Sequence, residues 1–168
     1  MSTFALRTDS VDATRSLGEA LAGVVRGGDL LVLAGDLGAG KTALTQGLGR
    51  GLGVEDAITS PTFTLAHQHQ GRLRLHHLDV YRFEASAEIL DVGLFELLDD
   101  ADAVTVIEWG DAIMSALPAD LLEVRLELGD GDDDREISVR LVGDGWSARR
   151  RALGEAVAPW VRQGSDGC

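Results

Sequence analysis

Residues Asp29–Gly53 read DLLVLAGDLGAGKTALTQGLGRGLG. The stretch opens with an apolar run, Leu30-Leu31-Val32-Leu33-Ala34, passes through GDLGAGKT (Gly35–Thr42) and continues with helical spacing. Strand, glycine-rich loop and helix in that order form the setting a phosphate-binding P-loop requires. Gly35, Gly38 and Gly40 let the backbone curl so that successive N–H groups converge on one concave spot. The helix that follows starts at that spot, so its free N–H groups and dipole also favour an anion. Lys41 would reach the β- and γ-phosphates, and the Thr42 hydroxyl would ligate Mg²⁺. Asp36, Leu37 and Ala39 fill positions the motif leaves open. Lys41 is also the only lysine in the chain; every other basic side chain apart from the histidines is arginine. A compact ammonium acts as a point charge on phosphate, a task for which the planar arginine fork has the wrong geometry.

The chain has 168 residues, enough for one domain with a proper core and a short tail. We expect the domain over residues 1–162 and a loose tail over 163–168. A net charge of −13 argues against a general basic face for nucleic acid, so DNA is not an expected partner and RNA would be held by another protein. No apolar run approaches the roughly 20 residues of a membrane span, and MSTFALRTDS lacks the basic-then-apolar form of a secretory signal. The single cysteine, Cys168, allows no internal disulfide, which agrees with a reducing, cytoplasmic setting.

Along the chain, Phe4–Arg7 reads as a short strand. Ser10 is placed to cap a helix running to about Arg26, with Val11, Leu17, Leu21 and Val24-Val25 as its apolar stripe. Gly47, Gly49 and Gly51 weaken the helix after the loop, or else permit close packing. Thr62–Gln68 and Arg72–Asp79 are strand-like, with His69-Gln70-Gly71 as the hairpin turn. Ser86–Leu98 is helical with a break at Gly93. Ala103–Ile107 is an apolar strand that ends in Glu108-Trp109. A short helix is expected over Asp111–Ala116, two antiparallel strands over Leu121–Leu128 and Ile137–Val142, and a last helix over Trp146–Val161. Parallel βα material mixed with hairpins predicts an α/β, P-loop NTPase-like single domain, with a mixed parallel/antiparallel sheet and helices on both faces.

A P-loop needs an acid to complete its Mg²⁺ site, usually at the end of an apolar strand beside the P-loop strand. Glu108 after VTVI and Asp79 after LRLHHL both have that form. Glu108 has the cleaner buried strand before it and is the preferred acid for Mg²⁺, directly or through water. Asp79 is then placed either to orient an attacking water or to stand behind the metal ligands. Ser60-Pro61-Thr62 follows the P-loop helix, where a γ-phosphate sensor often sits, and Thr62 has a hydroxyl to offer to Mg²⁺ or the phosphate. Trp109 suits packing or partner contact. His67, His69, His76 and His77 share two facing strands, but no cysteine joins them and a zinc site is a weak reading. GDGDDDREISVR lacks the glycine and glutamate positions of a calcium loop and reads as an acidic hairpin turn. Arg135, just after it, is within reach of a nucleotide. Arg149-Arg150-Arg151 reads as a solvated face or a small docking patch.

GDLGAGKT, SPTFTL, HHLDVYR and IEWGD, in this order and spacing, closely resemble the TsaE (YjeE) family of bacteria. The resemblance runs from about Asp12 to about Trp109 and is looser beyond Pro118. It implies a small ATPase that binds ATP and Mg²⁺. It also implies a role in the threonylcarbamoyl modification of the adenosine beside the anticodon in tRNAs that read ANN codons. The family acts on a TsaB–TsaD complex and does not transfer the group itself, so tRNA would be met only indirectly. Transferred by motif position, Gly38, Ala39, Gly40, Lys41, Thr42 and Ala43 hold ATP, and Thr42 and Glu108 hold Mg²⁺. Lys41, Asp79 and Glu108 form the catalytic set, with Thr62 and Trp109 as further motif residues. Val11 and Arg135 match positions near the base or ribose. HHLDVYR stands where HFDLYR is usual, with the Asp and Arg kept, and the GDGDDD turn is this chain's own.

Two other readings share the same loop. A small-molecule P-loop kinase would need an acceptor pocket and an arginine-bearing lid, and no arginine-rich lid follows Glu108. A non-hydrolysing nucleotide-sensing module would bind ATP without turnover even beside its partner.

Overall fold

The computed structural model describes residues 2–61, 66–80, 93–108, 115 and 117–162. Thr62, Trp109, the first part of the Ser86–Leu98 helix, nearly all of the expected Asp111–Ala116 helix and the tail over 163–168 lie outside the described residues.

Among the described residues, seven strands form one sheet: β1 (Ser2–Thr8), β2 (Leu30–Ala34), β3 (Ala66–His69), β4 (Arg74–Asp79), β5 (Ala103–Glu108), β6 (Leu121–Leu128) and β7 (Arg135–Val142). Their spatial order is β1-β7-β6-β2-β5-β4-β3. β2 runs parallel to β5 and β6, and β5 parallel to β4, while β1, β7 and β3 attach antiparallel. Strands buried on both faces read as unbroken apolar runs. β2 (LLVLA) and β5 (AVTVIE) do so, and every residue of both is buried. β7 at the antiparallel side alternates buried and half-buried positions instead. The mixed sheet expected from the pattern is present.

Alternation along β2 divides the core in two. Leu31 and Leu33 face α1 (Val11–Ala22) and α2 (Lys41–Gly51), joining Leu17, Leu21, Leu44 and Leu48. Leu30 and Val32 face the opposite way, with Leu78, Ile107 and Leu94 of α3 (Leu94–Leu98). Helices therefore cover both faces. Among the described residues no helix is long and apolar enough to cross a membrane.

The glycines of α2 serve packing. A Cβ on Gly47 would run into the Arg15 carbonyl of α1, and one on Gly18 into the Leu44 carbonyl of α2. The two helix backbones thus touch where these residues lack side chains. Ser10 caps α1 by accepting from the Ala13 N–H at 3.0 Å. The helix ends at Ala22, four residues short of the expected Arg26, because Gly23 closes it and Val24 and Val25 bond back to Leu21 O in a turn. Val11 is no part of the buried stripe: it is 44% exposed at the helix start.

The helix expected over Trp146–Val161 is instead three pieces: α4 (Asp144–Ser147), α5 (Arg150–Val157) and a 3-10 turn over Ala158–Trp160. Pro159 has no N–H to extend α5. Arg149, between the first two, leaves the expected solvated arginine face. It is buried with its guanidinium on Asp29 at 2.6 and 2.8 Å and stacked over the Trp146 ring at 3.8 Å. Only Arg150 and Arg151 of the triplet remain exposed.

The turn into β5 is tied down by Asp100. Its carboxylate accepts two hydrogen bonds from the Arg74 guanidinium (2.7 and 3.0 Å), lies 3.0 Å from His76 Nε2 and accepts the Asp102 N–H. Arg74 first, then His76 and that N–H, hold the carboxyl well below the usual carboxylate range. A carboxyl depressed on folding stabilises above its unfolded value of about 3.9 and loses that contribution as the pH falls towards its folded value. Asp100→Asn should therefore lower the melting temperature at neutral pH, and the gap from wild type should close below about pH 4 in unfolding scans. Gly47→Ala should destabilise by about 1–3 kcal/mol in chemical denaturation, because the clash is with backbone.

Candidate active site at the phosphate-binding loop

The loop begins where β2 ends. Gly35 adopts φ +148° with its Cα against the Leu126 carbonyl of β6, leaving no room for a side chain. Gly40 adopts φ +109° and caps α2 without a side chain, so Lys41, Thr42 and Ala43 open the helix with N–H groups that have no intrahelical acceptor. Lys41 is buried, and its ammonium folds over the loop onto Gly35 O (2.7 Å) and Asp36 O (2.9 Å). The one lysine of the chain stands at the mouth of the nest.

Strand register supplies the acids. Glu108, last residue of β5, is level with Leu33 of β2 on one side and with Asp79, last residue of β4, on the other. Both carboxylates open on the cavity of about 310 Å³ that Gly40, Lys41, Thr42 and Ser60 also line. Glu108 is 2% exposed, and its Oε1 accepts from the Thr42 hydroxyl at 3.1 Å. Ser60 donates its hydroxyl to Asp79 Oδ2 at 3.2 Å. Two oxygens sharing an octahedral Mg²⁺ at about 2.1 Å stand roughly 3 Å apart. The spacing of Thr42 Oγ1 and Glu108 Oε1 therefore suits co-ligands of such an ion, and their hard oxygen chemistry fits it.

A smaller hollow of about 70 Å³ lies on the other side of the loop, lined by Val11, Thr14, Gly38, Ala43 and Arg135. Arg135 does not wait free for a nucleotide. Its guanidinium donates to Ala39 O (3.1 Å) and Gly38 O (3.3 Å) and, behind, to the Asp132 and Asp134 carbonyls of the acidic turn. The arginine bridges the β6–β7 hairpin to the P-loop.

Two contacts of the site are not among the expectations from sequence: the Ser60 hydroxyl on Asp79 and His77 beside Glu108. Ser60 was named only as part of Ser60-Pro61-Thr62, and nothing local shows that its hydroxyl meets Asp79. His77 is fully buried with Nε2 3.3 Å from Glu108 Oε2. Its signal was available: it stands two residues before Asp79, on the same strand face. The four histidines form no metal cluster: among the described residues, no group of three or more His, Cys, Asp or Glu side chains is arranged to hold a metal.

A sequence model of the family described as threonylcarbamoyl adenosine biosynthesis protein TsaE matches residues 8–137. The chain belongs to the TsaE family. TsaE of Streptomyces coelicolor is 43% identical over 140 residues, covering 79% of this chain and 93% of that protein. TsaE of Bacillus subtilis is 40% identical over 139 residues, covering 82% and 85%. The crystal structure of Bacillus subtilis YdiB superposes with a TM-score of 0.79 at 32% identity, covering 92% of this chain and 95% of that one. The TsaE match begins at Thr8 and ends at Ile137, so it includes both Val11 and Arg135 as well as the P-loop.

Arg135→Ala should loosen the loop it bridges. We expect faster amide hydrogen exchange at Gly38–Gly40 and roughly tenfold weaker ATP binding, about 1.4 kcal/mol, with the melting temperature little changed.

Proposed function

We propose that the chain is an ATP-binding and ATP-hydrolysing subunit for threonylcarbamoyl modification of tRNA, acting on a TsaB–TsaD complex. Family membership supports the pathway. The contact between Thr42 Oγ1 and Glu108 Oε1, at 3.1 Å beside the loop, carries the nucleotide chemistry.

In this reading Gly38–Ala43 wrap the phosphates with backbone N–H groups and the α2 dipole. The Lys41 ammonium exchanges its loop carbonyls for the β- and γ-phosphate oxygens. Thr42 and Glu108 would hold Mg²⁺, which would supply positive charge to offset that of the phosphates and the leaving oxygen. Asp79, level with Glu108 and fixed by the Ser60 hydroxyl, orients the attacking water and receives its proton. Val11 and Arg135 flank the base and ribose. Thr62 senses the γ-phosphate. The net charge of −13 suits a subunit that docks on protein and leaves the RNA to its partners.

The test is Mg²⁺-ATP hydrolysis, alone and with TsaB–TsaD added. The rate should rise with the complex and fall at least about a hundredfold in Lys41→Ala and Glu108→Ala, since each removes charge aimed at the transition state. ATP binding with no turnover and no response to the complex would sink the proposal in favour of a non-hydrolysing sensor. A phosphorylated small molecule among the products would favour a kinase.

A further inference from the structure

Glu108 meets a different neighbour at each oxygen. Oε1 faces the cavity and accepts from Thr42; Oε2 faces into the sheet, 3.3 Å from His77 Nε2. His77 is 0% exposed and Glu108 2%. Neither ring nitrogen of His77 makes a well-aligned hydrogen bond among the described residues. A buried imidazole nitrogen without a partner is costly, so such groups mark a function or a bond completed in another state. An ionised carboxylate can only accept. For this contact to close as a hydrogen bond to the carboxylate, Nε2 is the nitrogen that donates. The fold enforces the approach: β4 and β5 pair in parallel with His77 level with Val106, one turn of the pleat behind the Asp79–Glu108 pair.

We propose that His77 is a positioning residue for Glu108. Its Nε2 is placed to close a hydrogen bond on Oε2, which keeps Oε1 beside the Thr42 hydroxyl. Once Thr42 Oγ1 and Oε1 turn to a shared cation, their mutual hydrogen bond is lost, and His77 becomes the group that keeps the carboxylate aimed. Partners behind metal-binding carboxylates act in this way. The inference rests on reading Thr42 and Glu108 as the Mg²⁺ ligands.

The substitutions separate an Nε2 donor from mere filling of space. The glutamine amide nitrogen reaches where Nε2 stands, the asparagine nitrogen only where Nδ1 stands, and phenylalanine keeps the ring without a donor. The readouts are the Mg²⁺ midpoint for tight binding of a fluorescent ATP analogue, and that analogue's binding without metal. His77→Phe and His77→Asn should raise the Mg²⁺ midpoint about tenfold or more, with metal-free binding unchanged. His77→Gln should stay near wild type. In ¹⁵N NMR spectra of the metal-free chain, His77 should appear in the Nε2–H form.

An Nδ1–H ring, a wild-type midpoint in folded His77→Phe, or equal shifts in the Gln and Asn variants would each overturn the inference. So would a His77→Gln chain that cannot fold, because the ring would then be needed for packing. Should His77→Phe not fold, the Gln and Asn pair decides alone. A wild-type chain whose ATP binding ignores Mg²⁺ sinks the metal reading itself and this inference with it. A normal wild-type response that survives every substitution sinks only the role of His77.

Discussion

Everything at the site depends on the parallel register of β2, β5 and β4. That register sets Leu33, Glu108 and Asp79 level with one another at the carboxyl ends of three neighbouring strands. Open α/β sheets present their binding residues there. A one-residue slip of β5 would turn Glu108 to the opposite face of the sheet, away from Thr42. The slip is resisted by the apolar residues before it. Val104 and Val106 pack towards α1 and α2, and Ile107 towards α3, so both faces would have to exchange their contents together.

The P-loop is held from three sides by elements distant in sequence. Gly35 rests against the Leu126 carbonyl of β6, which keeps the first turn of the loop on the sheet. Arg135 of β7 takes the Gly38 and Ala39 carbonyls. α1 approaches α2 backbone to backbone through Gly18 and Gly47, so that Thr14 comes up beside Gly40 and Val11 beside Ala43. The antiparallel half of the sheet thus helps to shape the glycine-rich loop, although its own strands carry no part of the GDLGAGKT motif.

Much of this was legible in the chain itself. Local signals with a mechanism gave the loop, the two carboxylates at strand ends, the Ser10 cap and the acidic turn. They did less well where a side chain answers to distant partners. Arg149 sits in a run of three arginines and looks solvated, but Asp29 and the Trp146 ring draw it inside. Arg135 looks free to swing, but carbonyls nearly a hundred positions away occupy it. The last helix looks continuous by periodicity, yet Pro159 and the Arg149 anchor divide it. The α2 glycines read equally well as weakness or as packing until α1 is seen lying on them.

By itself the sequence determined that the glycine-rich GDLGAGKT loop sits between a buried strand and a helix, and that an acid ends each of two later strand segments. Those facts rest on spacing along one chain, where backbone geometry and hydrophobic periodicity act locally. Only the tertiary structure decided which acid meets the Thr42 hydroxyl, that Ser60 serves Asp79, and that a buried histidine stands behind Glu108. Such pairings depend on strand register and helix approach. Both are set by how two apolar faces fill their space at once, a condition on the whole chain that no single stretch of it expresses.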